Sequence, residues 1–414
     1  MSTVSVPAGK SDAPVITLIG AGHFLSHFFI FVLPPLLPLL KAEFHVGYTE
    51  LGLAITAFNV ASALAQTPAG FLVDRFGART LLLAGILLGA VSYAGMGLLP
   101  SYLALVGFAT LAGLANVVYH PADYAILSAS VSGERMGRAF SLHTFAGYAG
   151  GAAAPLAMAL AVQLWDWKVG LMLTGALGFA VLALLLIGRG RLAEAPRAPA
   201  KERDAGPAAA EGGVSLLLST PIVMCFVFFV LIAMSSGGIN GFSVAAFVTL
   251  HHMGLNEAQF ALTGFLVGNA LGILAGGWIA DRTHHHERVA SLGFLATAVI
   301  IFLVGLGPLP GSLVIAAMAV GGLLFGLIMP SRDMLVRAVT PAGQTGKVFG
   351  FVTTGFNVGG MLVPALFGWL MDIGEARWLF VLAPIFMVLA TATVFVTRAV
   401  QPGATGGVQA AAGD

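Results

Sequence analysis

Gly70-Phe71-Leu72-Val73-Asp74-Arg75-Phe76-Gly77-Ala78-Arg79 ends one long apolar run, and another begins at Leu81. A glycine, an Asp-Arg pair four residues on, then Gly77 and Arg79 make a tight charged turn between two hydrophobic segments. The chain says nearly the same thing again at Gly277-Trp278-Ile279-Ala280-Asp281-Arg282, followed by Thr283 to Arg288. A gap-free shift of 207 positions puts His45 on His252, Gly47 on Gly254, Glu50 on Glu257 and Thr56 on Thr263. The same shift puts Phe58 on Phe265, Leu64 on Leu271, Gly70 on Gly277 and Asp74-Arg75 on Asp281-Arg282. Repetition on this scale means two copies of one multi-helix unit.

Composition says what surrounds that unit. The 414 residues are 58% hydrophobic and 9% charged, with mean hydropathy +0.95. A soluble domain carries roughly 25% charged residues, so this chain expects lipid as its solvent. The net charge of +1 points to no nucleic-acid partner. The single cysteine, Cys225, rules out an internal disulfide and a cysteine-rich metal site. Residues 1–13 are polar, and apolar spans continue to the end, so the first span is expected to stay rather than be cleaved as a signal.

A membrane-crossing helix needs about 20 apolar residues. Spans are expected near 14–40, 47–73, 80–99, 102–130, 138–163 and 168–188, then near 215–250, 256–280, 289–308, 311–336, 347–371 and 376–398. The reading is an all-α membrane protein with twelve transmembrane helices, built as two six-helix parallel repeats. It divides into a tail (1–13), a first bundle (14–188), a charged Ala/Gly/Pro-rich linker (189–214), a second bundle (215–398) and a second tail (399–414). Basic residues set the orientation. With the N-terminus cytoplasmic, only Lys41, Lys168 and Arg377 face outward, so both tails and the linker are expected inside the inner membrane.

Six plus six spans with a Gly-x-x-x-Asp-Arg-x-Gly-x-Arg loop after the second span resemble the major facilitator superfamily over nearly the whole chain. A second echo, shifted by 209, adds to it: Pro121 on Pro330, Gly137-Arg138 on Gly346-Lys347, Phe140 on Phe349, Gly150-Gly151 on Gly359-Gly360 and Pro155 on Pro364. Within that superfamily, His23 in a polar notch of the first span and Tyr119-His120-Pro121 in the fourth resemble the fosmidomycin-resistance branch of drug exporters. That branch tends to carry an acid four residues after the first histidine, where this chain has His27. The resemblance implies a secondary transporter working by alternating access, with proton-driven export of a small molecule as the leading expectation. Proton-coupled uptake of a small organic acid or nutrient stays open beside it, as does a non-transporting membrane sensor.

The residues themselves suggest two sites. The first is a latch: charges at helix ends that pair when one side closes and separate when it opens. It would use Gly70, Asp74, Arg75, Gly77 and Arg79 with Asp123, and in the second half Gly277, Asp281, Arg282 and Arg288 with Arg332 and Asp333 late in the tenth span. As ordinary structure, the same stretches are solvated turns. The second is a central cavity. His23 and His27 are four apart and share a helix face, and ionisable groups inside a span default to functional hypotheses. His143, Asn59, Tyr119, Tyr148, Ser236, Asn240, Thr354 and Asn357 complete the candidates for substrate contact or proton carriage, each of which could equally be helix–helix glue. Met234 to Asn240 is the segment expected to loosen its helix. No Arg, Lys, Asp or Glu is expected at the level of these groups. No nucleotide loop, metal-helix motif or nucleophile elbow occurs, so neither an enzyme nor a cofactor or metal site is expected, the His284-His285-His286 run included. The expected partners are a small-molecule substrate, protons and the lipid bilayer, with the chain a monomer.

Overall fold

The computed structural model of this chain describes residues 12–131, 135–192, 213–280, 282–283, 285–341 and 345–400. Among them every regular element is helical, and twelve long segments run between two faces. They are α1 (Ala13–Phe44), α2 (Tyr48–Phe76), α3 (Ala78–Leu98), α4 (Tyr102–Ser130), α5 (Met136–Leu164) and α6 (Trp167–Gly188), then α7 (Thr220–Leu250), α8 (Leu255–Ala280), α9 (His286–Val304), α10 (Gly311–Val339), α11 (Val348–Asp372) and α12 (Leu379–Val400). Eleven are long and apolar enough to cross a membrane. The remaining one, α2, has 29 residues; Asn59, Gln66 and Thr67 lower its hydropathy without shortening its reach. Odd-numbered helices leave the face that holds Asp12 and even-numbered ones return to it. The opposite face holds Asp372.

Local chemistry sets the breaks. Pro34-Pro35 interrupts α1 with a 3-10 turn over Pro34–Leu36, because proline offers no N–H to the helical ladder. α4 is interrupted at Val117-Val118 and restarts at Tyr119, which puts Pro121 in the first turn of the second piece, where an N–H is not needed. α11 widens into a π-type turn over Pro364–Gly368. The expected loosening at Met234–Asn240 is absent: α7 runs unbroken from Thr220 to Leu250. Gly77 joins α2 to α3 at φ 95° and ψ 140°, a backbone state that side chains rarely adopt. The repeat reaches the backbone too. His45 and His252, aligned by the shift of 207, are the only non-glycine residues with positive φ among those described, at 53° and 54°.

The outside is as apolar as the inside: Leu103 and Ile187 are more than four-fifths exposed. Burying apolar surface therefore gives little drive between helices in lipid, and close backbone approach carries the packing. Gly268, Gly272 and Gly276 of α8 lie against the backbone of α10, while Gly322 and Gly326 of α10 lie against Phe265 and Asn269 of α8. Gly113 brings α4 onto the backbone of Phe58 in α2, and Gly150 brings α5 onto Phe24 in α1.

The two halves meet towards the Asp372 face. Both Asp372 carboxylate oxygens cap the first turn of α2, accepting from the N–H of Tyr48 (2.6 Å), the N–H of Thr49 (2.8 Å) and the Thr49 hydroxyl (2.6 Å). Lys41 adds a contact at 3.3 Å. Gln259 donates to the Pro35 carbonyl, and Asn59 to the Gly360 carbonyl. These bonds tie the halves together towards Asp372. Near the Asp12 face the contacts run within each half: Arg79 to the Arg189 carbonyl, Arg135 to Asp12 and Arg332 to Asp333.

Candidate functional site

The site grows from α1. His23 and His27 lie one turn apart with ring centroids 4.8 Å apart. The His23 ring stacks on His143 of α5 at 3.7 Å and meets His120 of α4 edge-on at 5.0 Å. Gly147 makes room for this cluster: a Cβ there would stand 2.7 Å from the His23 ring and 2.9 Å from the His27 ring. At the centre is Asp123, wholly buried. Its Oδ2 lies 3.0 Å from His143 Nε2 and 3.3 Å from His23 Nδ1. Tyr119, one turn earlier on α4, is buried with its hydroxyl unpartnered. Tyr124 is 44% exposed and packs its ring 5.5 Å from His143. His27 also lies 5.9 Å from Tyr148.

This corrects two expectations. Asp123 meets the histidines, not Arg75 or Arg79, and a carboxylate does reach the histidine level. Asp123 lies about two turns from the end of its helix, so counting residues leaves it near the surface. Side chains lean towards their own helix N-terminus. α1 leaves the Asp12 face and α4 returns to it, so His23 leans towards that face while Asp123 leans away from it, and the two converge. The carboxylate beside His23 thus comes from α4. Tyr124 escaped the sequence reading, and His120 entered it within Tyr119-His120-Pro121 but not as a site residue; their spacing of one and three from Asp123 was the available signal.

A second charge also stands inside. The shift of 209 that aligns Pro121 with Pro330 aligns Asp123 with Arg332. The Arg332 guanidinium lies over the rings of Phe229 (5.0 Å) and Phe356 (5.4 Å) and pairs with Asp333 at 2.8 Å. Asp333 therefore serves Arg332, its chain neighbour, rather than Arg282. The expectation of no charged residue at this level thus fails in both halves.

Between the halves lies a cavity of about 210 Å³, lined by Phe31, Phe58 and Asn59 on one side and Ser236, Asn240 and Phe356 on the other. Asn59 is tied to backbone carbonyls of Ile55 and Gly360, and Ser236 to that of Ile232, while Asn240 keeps a buried carbonyl oxygen without a partner. Phe31 lies one turn beyond His27 on α1, and none of the four cluster histidines lines this cavity. Thr354 is exposed on α11 with its hydroxyl on the Phe351 carbonyl, and Asn357 is half-buried; neither lines this cavity.

Of the charged latch residues at the helix ends, the side chains of Arg75, Arg79, Arg282 and Arg288 are described. Arg75 is exposed over the Phe76 ring, Arg79 donates to the Arg189 carbonyl at the end of α6, and Arg282 lies 4.0 Å over the Trp278 ring. Gly70 and Gly277, related by the repeat, both face open space: a Cβ at either would meet nothing within 4 Å. The Asp74 side chain and the whole of Asp281 lie outside the described residues.

Comparison with known proteins agrees with this architecture. The chain is 25% identical over 377 residues to an MFS-type transporter, YfnC, of Bacillus subtilis, covering 89% of each. It is 22% identical over 402 residues to the fosmidomycin resistance protein of Escherichia coli, covering 95% of each. A solved bacterial homologue of the human lysosomal transporter Spinster, inward-facing and unoccupied, superposes with a TM-score of 0.77 at 15% identity, over 94% of this chain and 98% of that one. The model of the Major Facilitator Superfamily matches twice, over residues 19–256 and 226–412, and the chain belongs to that family of multi-pass membrane transporters.

Proposed function

We propose that the chain exports a small organic molecule across the inner membrane by alternating access, driven by protons entering through the Asp123 cluster. The observation that carries this reading is the contact of a wholly buried carboxylate with His143 at 3.0 Å and His23 at 3.3 Å. An ionised carboxylate without a partner is costly to bury, so Asp123 calls for a proton of its own or on a neighbouring imidazole. Which of these it holds is coupled to the cavity through His27 and to the side open to water through Tyr124. Orientation follows the basic residues: Lys41, Lys168 and Arg377 alone mark the outward face, and the Asp12 face is cytoplasmic. The described conformation then opens inward.

The latch belongs to the opposite state. When the cytoplasmic side closes, Gly70 and Gly277 allow helices to approach where they now face open space, and Asp74, Arg75, Gly77, Arg79, Asp281 and Arg282 come into range of one another. Substrate lies between Asn59 of the first half and Ser236 and Asn240 of the second, with Arg332 available to an acidic group on it. The likeness to resistance and export proteins favours efflux. The test is a thermal-stabilisation screen of the purified chain against antibiotics and metabolites at two pH values, followed by transport of each hit in everted vesicles. Accumulation that requires an inside-acid gradient supports the reading; accumulation only in right-side-out vesicles reverses the direction.

A further inference from the structure

We infer that His23, Asp123 and His143 form a binding site for a divalent transition-metal ion of the zinc class. A single proton carrier needs one carboxylate and at most one imidazole. Here four imidazoles crowd one carboxylate: His23 stands 3.7 Å from His143, 4.8 Å from His27 and 5.0 Å from His120 between ring centroids. Four imidazoles this close cannot all be protonated without strong repulsion, so they offer lone pairs. Neutral imidazole with carboxylate is a ligand set that suits zinc, cobalt and nickel and not the harder magnesium or calcium.

The spacing fits as well. One nitrogen of His23, one of His143 and a carboxylate oxygen of Asp123 all lie within 4.8 Å of one another. Ligand bonds of about 2.0–2.1 Å at tetrahedral angles put donor atoms roughly 3.3 Å apart. The two contacts of Asp123 Oδ2, at 3.0 and 3.3 Å, already stand at that separation. Asp123 Oδ1, His143 Nδ1 and the Tyr119 hydroxyl are buried with no hydrogen-bond partner, an unusual accumulation of unmet polar atoms around one point. Among the described side chains no lysine or arginine pairs with Asp123. Three protein ligands leave a fourth position free, as in sites that exchange a ligand. His27 and His120 form a second donor group with His23 and line the approach. An ion in this place occupies the carboxylate that the proposed proton route uses, so metal and proton exclude one another there. The binding itself does not rest on the transport reading.

The experiment uses the full chain in detergent, carrying H284A, H285A and H286A so that the loop histidines cannot bind metal. Zinc binding is measured by equilibrium dialysis, and cobalt binding by visible absorption. The expected result is one ion per chain, with magnesium unable to compete. Asp123→Asn and His143→Gln each weaken binding by about tenfold or more, while His252→Gln leaves it unchanged; changes even beyond the ligand shell of a metal cost roughly 10–100-fold. Size-exclusion profiles qualify each variant, and His23→Gln replaces any that aggregates. Absence of stoichiometric zinc, equal competition by magnesium, or unchanged affinity in the folded cluster variants overturns the site, whatever transport assays report.

Discussion

Replacing Asp372 by alanine removes the cap that one half of the molecule places on a helix of the other. The carboxylate accepts three hydrogen bonds of 2.6 to 2.8 Å from the start of α2. Loss of an N-cap costs about 1 kcal/mol and up to about 2 kcal/mol. The charge-assisted bond from the Thr49 hydroxyl contributes about 1 kcal/mol more after water replaces it. The Lys41 contact, 40% exposed on the lysine side, contributes little. These bonds exist only while the Asp372 face is closed, so Asp372→Ala raises the energy of that state against its alternative by about 2–3 kcal/mol, a shift of roughly 30- to 150-fold in their ratio. Lys41→Ala should shift it by less than about fivefold. The chain has a single cysteine, so Cys225→Ser with paired spin labels near residues 46 and 373 gives the distance across this face directly. Asp372→Ala should move most molecules to the longer distance, and Lys41→Ala should not. An unchanged distribution in Asp372→Ala, or an equal shift in Lys41→Ala, refutes the argument that the cap holds the face shut.

Gly70→Leu should leave the described conformation intact, because nothing lies within 4 Å of a Cβ there, yet abolish turnover by blocking closure of the Asp12 face; normal transport by a well-folded variant counts against that role. Gly77→Ala forces a side chain into a φ of 95° and should cost about 1–3 kcal/mol, read as a lower midpoint in thermal unfolding of the purified protein. A reporter fused after residue 205 should report the cytoplasm and one fused near Asn256 the periplasm, with the reverse pattern overturning the orientation. His23→Gln should impair pH-dependent transport more than His27→Gln, since only His23 reaches the carboxylate at 3.3 Å; equal pH profiles in both would make the rings packing residues.

Much of the architecture was legible because it is periodic. The shift of 207 already pairs His45 with His252, and the backbone bears this out in two matching left-handed residues. The glycines of α8 read as close-packing positions and lie on the backbone of α10. What sequence could not supply was the meeting of residues from different helices. Asp123 reads as a surface acid if depth is counted along α4 alone, and only the opposed lean of two antiparallel helices brings it to His23. Arg332 reads as a latch charge late in α10, whereas its aromatic neighbours, which the sequence does not announce, come from α7 and α11. Asp372 reads as a loop residue, since nothing in the chain announces that a carboxylate caps a helix more than 300 positions away.

The central claim is that Asp123 couples protons to substrate movement. The most direct measurement takes a compound identified by the stabilisation screen and follows it in proteoliposomes containing wild type or Asp123→Asn, once as gradient-driven accumulation and once as exchange at equal pH. Exchange needs only alternating access, whereas accumulation needs the proton step as well. The account predicts that Asp123→Asn keeps exchange at a rate within a few fold of wild type and loses accumulation. Accumulation by Asp123→Asn equal to wild type under the same pH gradient would contradict it.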